Sequence, residues 1–218
     1  MNSVSRPSPR LHPTVAYDEK SDRLILFSGR NPSGTYLTDT WAYSYTSNTW
    51  TNMTPSSSPT PRLASASYDS KQDRILIFGG LAPSGSYLND MWSYDYDSNA
   101  WTQITPVSSP SARSTALAYD SESDRLVIFG GYIPAPTDET WAYSSSANTW
   151  TSMGPSVRPL ARCCQMMAYD SQSDRIVIFG GYDGSKNLAD TWSYDYNNNT
   201  WTDMNFLSSP SAREHHRM

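Results

Sequence analysis

The sequence predicts an all-β fold of repeated units, and three observations carry that expectation. All eight tryptophans fall on two positions of one recurring unit: Trp41, Trp92, Trp141 and Trp192 on the first, Trp50, Trp101, Trp150 and Trp201 on the second. The arginine opening each unit sets the period: Arg10 to Arg62 is 52 residues, Arg62 to Arg113 is 51, Arg113 to Arg162 is 49, and Arg162 to Arg213 is 51. A period of roughly fifty with aromatic punctuation signals propeller blades or a solenoid rather than independent domains. Composition agrees, since 15 Tyr, 8 Trp, 15 Pro and 11 Gly among 218 residues supply strand and turn formers, and no segment has a helical pattern.

The second unit shows the elements in order. Leu63 to Tyr68 is small and apolar, suited to an innermost strand a. After the turn Asp69 to Asp73, Arg74 to Phe78 is apolar on both faces, as a strand b held between neighbours should be. Gly79 and Gly80 are expected to end it, because glycine takes the positive φ of a tight exit. Met91 to Tyr96 alternates, with Trp92, Tyr94 and Tyr96 on one face, and reads as a half-exposed strand c. Asp97-Ser98-Asn99 then turns the chain into strand d, Ala100 to Ile104, whose Trp101 caps the core between units.

The Gly-Gly after an apolar run, followed by Trp-x-Tyr and a second Trp nine residues on, resembles the kelch repeat. The resemblance covers Arg10 to Met204, with departures at Phe27-Ser28-Gly29 in the first copy and at Glu139, which stands where the others carry Asp39, Asp90 and Asp190. It implies a kelch-type β-propeller of four-stranded antiparallel blades, usually about six in a ring around a channel, serving as a protein-binding platform. One domain, residues 1–218, would hold blades at about 10–54, 62–105, 113–154 and 162–205, with a truncated fifth-blade strand at 213–218. That surplus strand a favours an open arc over a closed four-bladed ring, and an arc would expose apolar blade edges prone to self-association.

Spacing identifies the end free to vary. The a–b turn and the nine-residue Trp-to-Trp segment are constant, whereas the b–c loop runs 12 residues from Gly29 to Trp41 and from Gly80 to Trp92, 10 from Gly131 to Trp141, and 11 from Gly181 to Trp192. The b–c and d–a loops emerge together at the opposite end from the constant turns, and variation on a constant scaffold marks a binding face. Arg30, Tyr36, Tyr87, Tyr132, Tyr182, Asp183 and Lys186 are its expected contacts, Tyr and Arg being the usual interface anchors. The opening arginines Arg10, Arg62, Arg113 and Arg162 admit two readings: a cationic rim gripping an acidic peptide, or guanidinium groups satisfying carbonyls of the d–a loop. The Asp-Arg pairs at 22/23, 73/74, 124/125 and 174/175 read as turn acceptors and blade-edge ion pairs.

Several functions are excluded or disfavoured. A net charge of −5 with only three lysines, and nine of thirteen arginines at fixed repeat positions, argues against nucleic-acid or anionic-membrane surfaces. No stretch approaches the roughly 20 apolar residues of a membrane span, and residues 1–10 lack a secretory core. The adjacent Cys163 and Cys164 make no disulfide framework, which leans toward a soluble, cytoplasmic chain. Galactose oxidase shares the fold family, but its copper site needs two His, two Tyr and a crosslinked Cys, while His12, His215 and His216 lie at strand-a starts in no ligand spacing. No nucleophile elbow, phosphate loop or calcium loop is present. The expectation is a non-catalytic protein- or peptide-binding module without cofactor or metal, the alternative being a carbohydrate-binding or carbohydrate-active propeller whose tyrosines stack on sugars.

Overall fold

Short strand-forming runs joined by fixed Asp- and Asn-bearing turns fold into meanders. The computed structural model describes residues 5–204 and 209–216. Among these there is no helix, and hence none long and apolar enough to cross a membrane. The chain divides into two compact units, Met1–Thr105 and Pro106–Met218, each with two antiparallel sheets.

In the first unit, blade 1 comprises β1 (Thr14–Asp18), β2 (Arg23–Phe27), β3 (Thr40–Ser44) and β4 (Thr49–Asn52), and blade 2 comprises β5 (Ala66–Asp69), β6 (Arg74–Leu81), β7 (Tyr87–Asp95) and β8 (Ala100–Ile104). In the second, blade 3 comprises β9 (Ser114–Asp120), β10 (Arg125–Ile133), the two-residue β11 (Ala135–Pro136), β12 (Thr140–Ser144) and β13 (Thr149–Ser152). Blade 4 comprises β14 (Met166–Asp170), β15 (Arg175–Phe179), β16 (Thr191–Asp195) and β17 (Thr200–Asp203). Each sheet pairs neighbours in chain order, a-b-c-d, with the short β11 pairing the end of β10 within the b–c hairpin of blade 3. Four separate open sheets of this order match the four-stranded antiparallel blades expected of the repeat.

Three local details differ from the sequence reading. Strand b of blade 2 does not stop at Gly79 and Gly80; it continues to Leu81 through an irregularity between Phe78 and Gly80, where both glycines take positive φ of 61° and 103°. A glycine pair can bulge a strand as well as end it. Strand c of blade 2 is buried on both faces, with Met91 and Tyr94 fully enclosed and Ser93 7% exposed, so it is not half exposed. The truncated fifth-blade strand expected at 213–218 lies partly outside the described residues, and no strand is formed over 213–216.

Two latches recur because the same residues recur. The strand-a tyrosines Tyr17, Tyr68, Tyr119 and Tyr169 donate to Asp22, Asp73, Asp124 and Asp174, and the strand-c tyrosines Tyr43, Tyr94, Tyr143 and Tyr194 donate to Asn48, Asn99, Asn148 and Asn199. All eight acceptors sit at φ between 48° and 56°, the left-handed region that Asn and Asp tolerate best. The aspartates of the Asp-Arg pairs are therefore turn acceptors, as expected. The arginines make their ion pairs elsewhere, Arg74 with Asp69 and Arg175 with Asp195.

Within each unit the core lies between the two blades. In the first, Ile25, Phe27 and Ala42 of blade 1 meet Ile75, Ile77, Tyr94 and Trp101 of blade 2. In the second, Ala116, Ala118, Val127, Phe129 and Ala142 of blade 3 meet Met167, Ile176, Ile178, Tyr194 and Trp201 of blade 4. The second tryptophan caps this core as expected: Trp101 lies 4.8 Å from Phe27 and Trp201 4.9 Å from Phe129 between ring centroids.

Candidate functional site

A recurring polar cluster at the base of the b–c loops holds them in place. Each opening arginine reaches into its own blade. Arg62 donates to both carboxylate oxygens of Asp90 at 2.5 and 2.8 Å, to the Gly79 carbonyl at 3.2 Å and to the Thr60 carbonyl at 2.8 Å. Arg162 repeats this on Asp190, Gly180 and Leu160, and Arg10 on Asp39, Ser28 and Ser8. Arg113 reaches one oxygen of Glu139 at 2.5 Å. The same carboxylates accept the indole N–H of the following tryptophan, at 2.6 Å for Asp39 and Trp41 and 2.9 Å for Asp190 and Trp192.

Arg62, Arg113 and Arg162 are 0% exposed, and the Arg10 side chain is 4% exposed. This corrects the reading of a cationic rim, because a buried guanidinium bonded to a carboxylate and two carbonyls has no face to offer a ligand. The expected carbonyl bonds are present; the acidic residue before the first tryptophan is the partner that spacing alone did not reveal. Burial disfavours the charge on Asp39, Asp90, Asp190 and Glu139, but the hydrogen bonds from Arg and Trp outweigh it and hold all four carboxyls below their ordinary range.

The b–c loops rise from this base. In the first unit Arg30 bridges Leu11 on one side and Tyr36 on the other, bringing those two candidate contacts together in blade 1. The Asn31 side chain accepts the Thr35 amide and the Ser33 hydroxyl, closing the loop tip. Tyr87 faces Leu81 across the corresponding hairpin of blade 2. All three candidates are half-buried, with Pro32 to Thr35 and Pro83 to Ser86 exposed around them.

In the second unit Tyr132 lies between Ser114 and Pro136, and Tyr182 between Cys163 and Asn187. The Tyr182 hydroxyl donates to the Gly184 carbonyl at 2.9 Å. Asp183 accepts the Ser185 and Lys186 amides and the Ser185 hydroxyl, and these bonds bring its carboxyl down to about 2. A Cβ added at Gly184 would meet Pro136 at 3.7 Å, so the loop tips of blades 3 and 4 adjoin. Lys186 is exposed beside them.

The structure also assembles residues that sequence reasoning set aside. Ligand atoms of Cys164, Glu214 and His215 all lie within 4.8 Å of one another. They are one repeat apart in sequence, so spacing along the chain hides a juxtaposition made by successive unit openings.

A family profile, the KLHDC2/KLHL20/DRC7 Kelch-repeats domain, matches residues 2–159, and the Kelch motif matches residues 166–205. Among curated proteins, the chain is 32% identical over 142 residues to the dynein alpha chain of the flagellar outer arm of Chlamydomonas reinhardtii, covering 59% of this chain and 3% of that protein. It is 29% identical over 143 residues to tRNA wybutosine-synthesizing protein 4 of Emericella nidulans, covering 56% of this chain and 13% of that protein. It is 28% identical over 119 residues to an F-box/kelch-repeat protein of Arabidopsis thaliana, covering 50% of this chain and 25% of that protein. The chain thus spans a quarter or less of each of these relatives.

Proposed function

Since the chain belongs to the kelch-repeat family, whose repeats generally mediate protein interactions, we propose that it is a non-catalytic protein-interaction module receiving a partner on its b–c loops. One observation supports this most. Every blade spends its recurring chemistry, the Arg–carboxylate–Trp cluster and the two Tyr–Asx latches, on holding a constant frame, while the b–c loops change length and side chain from blade to blade and the arginine-to-tyrosine segment that follows each d–a loop runs seven residues in blades 1 and 4 and six in blades 2 and 3.

Arg30 with Tyr36, and Tyr87, are the proposed contacts in the first unit; Tyr132, Tyr182, Asp183 and Lys186 are those in the second. Tyr offers large contact area with little rotamer freedom to lose, and Arg and Lys supply orienting charge. The pre-bonded Asn31 and Asp183 turns lower the ordering cost of binding, because the loop tips are already closed.

Parallel screens of the purified chain against a displayed peptide library and a glycan array test the reading. Enrichment of peptides whose binding falls in Tyr87→Ala and Tyr132→Ala supports it. Glycan binding with no peptide enrichment contradicts it and favours the carbohydrate reading.

A further inference from the structure

The Gly-Gly exits of blades 3 and 4 are where the following repeat begins. In blade 4 the Gly181 amide donates to the Arg213 carbonyl at 2.9 Å, and the Arg213 amide to the Leu188 carbonyl at 3.0 Å. This docks residues 213–216 against blade 4 just as Arg162 docks on blade 3, through Gly131 to the Arg162 carbonyl and the Arg162 amide to Thr137. The second residue after the opening arginine is Cys164 in one case and His215 in the other, with φ of 64° and 54°, and the His215 amide donates to the Cys164 carbonyl at 3.0 Å. Backbone bonds on both sides therefore fix the openings of two successive repeats side by side.

The side chains carried there are of one chemical kind. Cys163 and Cys164 are free thiols with Sγ atoms 3.0 Å apart, Cys163 being 2% exposed. His215 Nδ1 lies 3.4 Å from Glu214 Oε2, and Cys164, Glu214 and His215 place their ligand atoms within 4.8 Å of one another. We propose that Cys164, Glu214 and His215, joined by Cys163, whose sulfur touches that of Cys164 but lies outside their 4.8 Å group, form a binding site for a thiophilic divalent cation of the Zn²⁺ type.

Donor chemistry selects the ion. Two sulfurs, an imidazole and a carboxylate are the donor set of four-coordinate Zn²⁺, whereas Ca²⁺ and Mg²⁺ require oxygen ligands. Tetrahedral coordination with Zn–S near 2.3 Å needs the sulfurs about 3.8 Å apart, so binding requires the Cys163–Cys164 pair to open by about 0.8 Å and Glu214 and His215 to close on Cys163. His215, the most exposed of the four, leaves an entry path. In the metal-free arrangement the Cys163 sulfur, burial and the Glu214 charge all push the Cys164 thiol up; a bound cation reverses that by deprotonating it. The site lies beside Tyr182, whose backbone pairs with Cys163 in both directions, and it requires no partner protein.

Co²⁺ titration of the full chain under a phosphine reductant and inert gas tests the proposal. One equivalent should bind with a near-ultraviolet thiolate-to-cobalt charge-transfer band and tetrahedral visible bands, be displaced by Zn²⁺, and raise the unfolding midpoint. Cys164→Ser should weaken binding by more than the about 10–100-fold that loss of an outer-shell partner costs. Glu214→Gln and His215→Ala, outside the blade core, should weaken it while keeping the metal-free melt of the parent. His12→Ala, at the repeat position equivalent to His215, should leave it unchanged. Absence of the charge-transfer band, or equal Zn²⁺ binding by the Cys163→Ser/Cys164→Ser double variant, would overturn the proposal.

Discussion

Trp101 donates its indole N–H to the Thr40 hydroxyl at 3.1 Å, and Trp201 donates to Thr140 at 3.0 Å. In each unit this bond joins the outermost strand of one blade to strand c of the blade before it, inside an otherwise apolar core. A buried N–H that loses its acceptor costs about 1–3 kcal/mol. Thr140→Val is nearly isosteric and should destabilise the chain by that amount in urea unfolding, with Thr140→Ser retaining most of the stability. A Val variant as stable as the parent would show that the bond contributes nothing.

Asp190 compensates a guanidinium that is wholly buried. Removing one partner of a buried ion pair costs about 3–5 kcal/mol because the other charge is stranded. Asp190→Ala should therefore lose stability on that scale, while Asp183→Ala, whose hydrogen bonds lie on the exposed loop of the same blade and strand no buried charge, should lose less. Equal effects of the two substitutions would contradict the role assigned to the Arg162–Asp190 pair.

The same carboxylates set a direction for pH. Burial opposes their ionisation, but Arg and Trp hydrogen bonds hold Asp39, Asp90, Asp190 and Glu139 below their ordinary values. A depressed folded-state pKa contributes stability that is complete above the unfolded value, about 4 for these groups, and is lost as pH falls through the folded one. Urea midpoints should be flat above about pH 5 and drop below about pH 4. In Asp190→Asn the acid limb should be shallower; a limb of unchanged steepness would remove this carboxyl from the account.

Gly130 takes φ of 62°, and a Cβ there would sit 2.4 Å from the Arg162 carbonyl. Backbone cannot yield cheaply, so Gly130→Ala should lower the thermal midpoint far more than Gly154→Ala, where nothing lies within 4 Å. Both positions have positive φ, which makes the pair a measure of crowding alone. Matching losses at the two sites would refute the close approach.

Much of this was legible in the sequence, and the part that was not has a common cause. Strand order, the constant turns and the capping by Trp101 follow from patterns within one unit, where periodicity of two and turn residues report directly. The pairing of Arg62 with Asp90 bridges 28 residues; both residues recur, but recurrence does not say which of two fixed positions meet. Ser28 shows the same limit. Standing in for a glycine at φ of 57°, its hydroxyl donates to the Leu37 carbonyl and accepts the Arg62 amide, a function invisible without the fold. Cys164 and His215 lie a full repeat apart, farther than any spacing rule reaches. The loop candidates were legible as variable positions, and the structure adds the bridges that pair Arg30 with Tyr36 and set Tyr182 against Cys163.

Hydrogen–deuterium exchange of the chain with and without a selected peptide tests the interaction face most directly. Binding should protect the b–c loops, residues 30–38 and 82–89 in the first unit and 132–138 and 182–189 in the second, and leave the turns at 19–22, 70–73, 121–124 and 171–174 unchanged. Protection confined to those turns, with the b–c loops exchanging as in the free chain, would contradict the proposed interaction face.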